Sequence, residues 1–181
     1  RPMILLIIDR IASELKAYQG PRPIKIIVAT CDIEISNAVS GNSDDVAVVM
    51  TSSDHQRASD RTQEAVALYE ELNDVIAEKV ILVQGDEPCV LPKFITESLV
   101  ALERGDCEVT NIGGVLSADD LSNRNIIKMT SSLNNSIQLF SRIALLESAP
   151  SNFVQLRMYK QVCIIGFTRS SLNRYSLLEP S

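Results

Sequence analysis

Three short apolar runs rich in β-branched residues constrain this chain more than anything else in it: "IKIIVAT" (Ile24–Thr30), "VAVVM" (Val46–Met50) and "KVILVQ" (Lys79–Gln84). Continuous apolar runs of this length, with no polar alternation, mark strands buried on both faces. Helical segments alternate with them. Residues Pro2–Tyr18 place Ile4, Ile7, Ile8, Ile11, Ala12 and Leu15 at spacings of three and four, and "QGPRP" (Gln19–Pro23) stops that helix. "DIEISNAV" is a short helix, Ser59–Leu72 is a longer one bearing Ala65, Val66, Leu68, Tyr69 and Leu72, and "LPKFITESLVALERG" is a helix closed by Gly105. Strand and helix in alternation predict an α/β fold, Rossmann-like, with a mostly parallel twisted sheet covered by helices on both faces.

From Glu108 the pattern changes. "EVTNIGGVL", "NIIKMT", "SIQLFSR" and "QVCIIGFTR" are strands divided by turns such as "SADD" and "SLNN", which suits an antiparallel extension over about residues 108–168. No repeat or low-complexity segment interrupts the chain, and residues 1–181 are expected to form a single domain. It begins at Arg1, inside a helical pattern, and so has the character of a fragment truncated at both ends.

Composition narrows the function. A hydrophobic share of 45% supports a well-formed core, and a net charge of -6 disfavours non-specific binding to nucleic acid or anionic membrane. "MILLII" (Met3–Ile8) is far too short to span a bilayer, and no basic leader with a cleavage site precedes it. The four cysteines form no CxxC pair and His55 is the lone histidine, so a structural zinc site is not expected. The thiols are expected to be reduced and buried, and the protein cytoplasmic.

In open parallel sheets, ligands bind beyond the carboxyl ends of the strands, which draws attention to "TSSDHQ" and "QGDEP". In the second, Gly85 permits close backbone approach, while Asp86 and Glu87 are oxygen donors of the kind magnesium takes one or two of. The plainer reading has Asp86 capping the next helix and Glu87 solvated. In "DHQRASDRTQEA" (Asp54–Ala65), Ser59, Asp60 and Arg61 open a helix, a place suited to phosphate or a ring carbonyl. The plainer reading is a Ser59 N-cap with Asp60 in the first turn. His55 is a loop histidine, of surface or capping type. Arg142, ending "LFSR", is either a planar clamp for an anion or a surface arginine paired with Glu147. Glu70, Glu71 and Glu78 have the look of a solvated face. GxGxxG, GxxxxGK[ST] and GxSxG are all absent, which removes the main support for dehydrogenase, P-loop kinase and α/β-hydrolase readings.

Taken in order, "RPMILLIIDRIA", "IIVAT", "MTSSDHQRASDRTQEA", "VQGDEP", "NIIKMT", "LFSR" and "IIGFTRSSLNRY" resemble the sugar-acid cytidylyltransferases, and within them the 3-deoxy-manno-octulosonate (Kdo) branch, the CMP-Kdo synthetases. "VQGDEP" matches the family's metal and substrate segment unchanged. The resemblance implies a fold of the nucleotide-diphospho-sugar transferase type and a magnesium-dependent reaction of CTP with a sugar acid. It implies that Asp86 holds magnesium and is catalytic together with Arg142, which faces the sugar-acid carboxylate. Gln84 and Gln161 are implied at the sugar acid, and Ser59, Asp60, Arg61 and Gly85 at CTP. A homodimer with a role in lipopolysaccharide synthesis is implied as well, its surface starting from about Ile137.

The chain departs from the family pattern in several places. The family's opening strand and triphosphate loop, and the carboxy-terminal acid of its metal site, match nothing in these residues, so little activity is expected from them alone. Arg57 and Ala58 stand where the family has Ser-Gly. Gln161, Cys163 and Ile165 replace the leading residues of its His-x-Gly-x-Tyr-Gly strand, where only Gly166 is kept. Two alternatives follow: a cytidylyltransferase for another sugar acid, neuraminate-like or an amino-octulosonate, and a non-catalytic, nucleotide-binding dimeric scaffold homologue.

Overall fold

A computed structural model describes residues 1–20, 23–42, 45–143 and 157–179. The chain divides into two compact units, one formed by 1–110 with 164–181 and the other by 111–163.

The first unit opens with α1 (Met3–Ala17), β1 (Ile26–Thr30), α2 (Ile33–Ser40) and β2 (Val46–Met50). Asp32 caps α2, its carboxylate accepting from the amides of Glu34 and Ile35. β1 and β2 pair in parallel, from Ile26 opposite Val46 to Thr30 opposite Met50. Leu5 and Ile8 of α1, Val28, Val39 and Val46 bury together on this pair. The three-and-four spacing of α1 is thus a core stripe.

The unit continues with α3 (Ala58–Asn73), β3 (Lys79–Val83) and α4 (Lys93–Glu103), then returns after the second unit with the end of β7 (Arg157–Thr168) and α6 (Arg169–Ser176). Gly105, just past α4, has φ 77°, the left-handed conformation that ends a helix at little cost only for glycine. β3 pairs antiparallel with β7, Lys79 opposite Thr168 through Val83 opposite Ile164. Val66, Leu82, Phe167 and Leu172 form a second cluster across α3, β3, β7 and α6. The predicted strand–helix alternation is present in full. Among the described residues its hydrogen-bonded ladders are parallel between β1 and β2 and antiparallel at β3–β7.

The second unit holds most of β4 (Val109–Gly114), then α5 (Ala118–Ser122), β5 (Lys128–Ser131), β6 (Ile137–Ser141) and the first half of β7. β5 lies between β6 and β7, antiparallel to both. Among the described residues β6 therefore ends the row β3–β7–β5–β6, while β4 pairs with β7 off that path.

Several local expectations need correction. "SADD" is a helical turn, because Ser117 and Asp120 form a reciprocal capping box. α6 was not anticipated, since its residues are polar apart from the buried Leu172; Thr168 caps it by accepting from the Ser171 amide. Glu70 is not on a solvated face. It holds Arg169 through both carboxylate oxygens and accepts the Ala77 amide at 2.9 Å. The cysteines are free, but Cys31 and Cys89 are exposed. No helix among the described residues is long and apolar enough to cross a membrane.

Candidate active site

The loop leaving β2 is strapped to the first turns of α3. Arg61 Nη1 donates to Thr51 Oγ1 at 2.5 Å and to the Ser52 carbonyl at 3.1 Å. Glu64, one turn on, accepts the Ser52 amide at 3.0 Å, and its Oε2 also bonds His55 Nε2. His55 is thus a structural partner of Glu64. The hydrogen bond from His55, followed by that from the Ser52 amide, holds the Glu64 carboxyl below the usual glutamate range, with partial burial opposing. Glu64 was not singled out from the sequence, where nothing distinguishes it from a solvated helix residue.

Arg57, not Ser59, is the N-cap of α3, in extended backbone and without a side-chain cap bond. Ser59 is buried in the first turn, and Asp60 lies in that turn as expected. Asp60 Oδ2 accepts Arg57 Nε at 2.8 Å, whereas its Oδ1 is buried with no hydrogen-bond partner. Arg57 also donates to the Leu178 carbonyl at 3.1 Å and sits 5.8 Å over the Tyr175 ring, tying α6 to α3. Ala58 has helical backbone and no positive φ, so its Cβ meets no conformational obstacle here.

Beyond β3, Gln84, Gly85 and Asp86 form a turn. Val90 N donates back to the Glu87 carbonyl to close a second turn, and Arg10 of α1 donates to the Val90 carbonyl at 3.2 Å, fixing the far end of that second turn. α4 starts only at Lys93, with Pro92 as N-cap. Asp86 therefore does not cap it. Its carboxylate is exposed and makes no hydrogen bond or ion pair among the described residues. An open oxygen donor at a strand end suits magnesium, which completes its shell with water and phosphate oxygens. Among the described residues no three His, Cys, Asp or Glu gather into a ready-made cage, as that mode of binding requires none.

Two of the predicted residues belong to the second unit. Arg142 is exposed at the end of β6, and its Nη1 donates to the carbonyls of Arg124 and Asn125, each at 3.3 Å. The alternative partner Glu147 falls outside the described residues. Gln161 Nε2 donates to Asn111 Oδ1 at 2.7 Å, a pairing that sequence spacing gave no reason to expect. Ser59, Asp60 and Arg61 thus share one helical turn, and Gln84, Gly85 and Asp86 another turn at a strand end. No hydrogen bond or ion pair among the described residues joins the two groups.

The strand-end acidic turn and the helix opening with Asp-Arg sit on an α/β frame that continues into antiparallel strands, and comparison with known proteins gives its class, a nucleotidyltransferase. The cytidylyltransferase family model matches residues 1–181, and the chain belongs to that family. The particular likeness is to the branch that the motif order indicated. The 3-deoxy-manno-octulosonate cytidylyltransferase of Brucella ovis is 30% identical over the whole of this chain and 68% of its own length. That of Brucella canis is 29% identical over the same extent. The solved structure of CMP:2-keto-3-deoxy-manno-octonic acid synthetase complexed with CTP superposes with a TM-score of 0.78 at 26% identity, covering all of this chain and 69% of the other. A 4-diphosphocytidyl-2C-methyl-D-erythritol synthase from Anaerococcus prevotii shares the fold, with a TM-score of 0.55 at 12% identity.

Proposed function

We propose that the chain activates a 3-deoxy-octulosonate-type sugar acid with CTP, giving the CMP-sugar and pyrophosphate in a magnesium-dependent reaction. The observation that carries this reading is the exposed carboxylate of Asp86, unpartnered among the described residues and free of any capping duty. A carboxylate left open at a strand end is poised for an external cation.

In this reading the anomeric hydroxyl of the sugar acid attacks the α-phosphorus of CTP. The new P–O bond forms as the bond to the β-phosphate oxygen breaks, pyrophosphate leaves with the electron pair, and the proton of the hydroxyl passes to solvent water. Magnesium bound by Asp86 and the triphosphate would supply neutralisation of phosphate charge. The chain's own work is placement. Gly85 lets backbone approach the nucleotide, Ser59, Asp60 and Arg61 position the cytidine, and Gln84 and Gln161 meet the sugar acid. Arg142, with Nε and Nη2 unengaged among the described residues, faces the acid's carboxylate through its planar fork. No protein nucleophile is needed, since orientation and charge neutralisation carry such a transfer. The reading includes a cytoplasmic homodimer with a role in lipopolysaccharide synthesis.

The test is pyrophosphate release by the full-length protein given CTP, magnesium and a panel of sugar acids, with Asp86→Asn alongside. Release with an octulosonate, reduced about 100-fold or more in the variant while its circular dichroism is unchanged, supports the reading. Silence across the panel from folded protein that binds CTP would favour the non-catalytic homologue. Wild-type turnover by Asp86→Asn would remove the metal role.

A further inference from the structure

The second unit contains a charge that folding alone does not explain. Lys128, the first residue of β5, the strand between β6 and β7, is 0% exposed. Its ammonium donates to the carbonyl of Asn123 at 2.6 Å and to that of Arg142 at 3.0 Å. Neither partner is charged, and no carboxylate pairs with it among the described residues. A buried cation satisfied only by neutral dipoles has not recovered its lost hydration, and an apolar side chain of similar length would fill the slot at lower cost.

What the ammonium holds is specific. One carbonyl belongs to Arg142 itself, at the end of β6. The other belongs to Asn123, which begins the stretch whose next two carbonyls, of Arg124 and Asn125, accept Arg142 Nη1. Lys128 therefore fixes both the backbone that bears Arg142 and the ledge on which one edge of its guanidinium rests. The opposite edge, Nε and Nη2, stays unengaged among the described residues. The two cations also add, since an uncompensated positive charge in a low-dielectric interior raises the potential beside it and favours an anion there.

We propose that Lys128 is a positioning residue for Arg142, orienting its guanidinium and strengthening its hold on the acceptor's carboxylate. This rests on the reading of Arg142 as the sugar-acid clamp. The test uses steady-state kinetics of the full-length protein with 3-deoxy-manno-octulosonate as acceptor, comparing Lys128→Gln, Lys128→Met, Arg142→Ala and the double variant Lys128→Gln/Arg142→Ala. The expected result is a sugar-acid KM raised about tenfold in Lys128→Gln, the KM for CTP unchanged, and a double variant no worse than Arg142→Ala alone. Additive losses, or equal rises in both KM values, would overturn the positioning role and leave a packing residue. So would failure of both Lys128 variants to fold. If Arg142→Ala leaves the sugar-acid KM unchanged, the clamp reading falls and this proposal with it. If Arg142→Ala responds while a folded Lys128→Gln does not, only the proposal falls.

Discussion

At the scale of single residues, the chain separates groups that are used up by folding from groups that are left open. Glu64 and His55 are spent on each other and on the loop after β2, whereas Asp86 has no partner among the described residues. Glu64 makes the distinction measurable. Its carboxyl is depressed in the folded state by His55 and the Ser52 amide. A carboxyl depressed on folding stabilises the native state at pH above its unfolded value, about 4.3, and gives up that stability as pH falls through the folded value. Glu64→Gln should therefore lower the urea midpoint near neutral pH, and the gap from the unaltered protein should close as the solution is acidified below the ordinary glutamate range. A gap that stays constant with pH would mean that these contacts do not favour the ionised form. Some of this was legible beforehand. "QGDEP" after an apolar strand announced Asp86 through the mismatch between its polarity and its position. Glu64, Arg57 and Asn111 were not legible, because their partners lie in the folded chain and leave no local pattern. Lys128 had a faint mark, a lone lysine inside the apolar run "NIIKMT".

At the scale of elements, boundaries followed wherever periodicity was strong. β2 was placed at Val46–Met50 as expected, and α3 lies within a residue of Ser59–Leu72 at each end. The failures, α5 and α6, are short helices whose stability comes from caps and from one buried leucine, so no apolar stripe existed to find. α6 is instead held to α3 by the paired side chains of Arg169 and Glu70, both largely buried. Burial pushes the Glu70 carboxyl up, and the Arg169 and Ala77 hydrogen bonds bring it below its usual range despite that. Gly166 matters at this scale too. A methyl there would collide with the Thr110 and Ser98 hydroxyls, which bond each other at 2.5 Å between β4 and α4. Glycine is kept at this point of β7 because the strand passes hard against that pair. Gly166→Ala should lower stability by about 1–3 kcal/mol, read as a shift in the denaturant midpoint. A neutral effect would show that the hydroxyl pair moves aside freely.

For the whole molecule, the edge of the second unit bears on assembly. Among the described residues β6 ends its row, and Leu139 and Phe140 on it are 46% and 41% exposed. An apolar edge strand left uncovered invites pairing with another chain. Under the homodimer reading, sedimentation should return a dimer that Leu139→Asp converts to monomer; a monomeric unaltered protein would overturn that reading, and a variant that still dimerises would place the contact elsewhere. The division into two units also sets an order of synthesis. Val66 and Leu82 are synthesised before any of the second unit, and the residues that complete their cluster, Phe167 and Leu172, only after all of it. The nascent chain must therefore carry a half-built core through the making of an entire inserted unit. Its first half is made with apolar surface exposed long before it is a finished fold, the condition under which nascent chains aggregate.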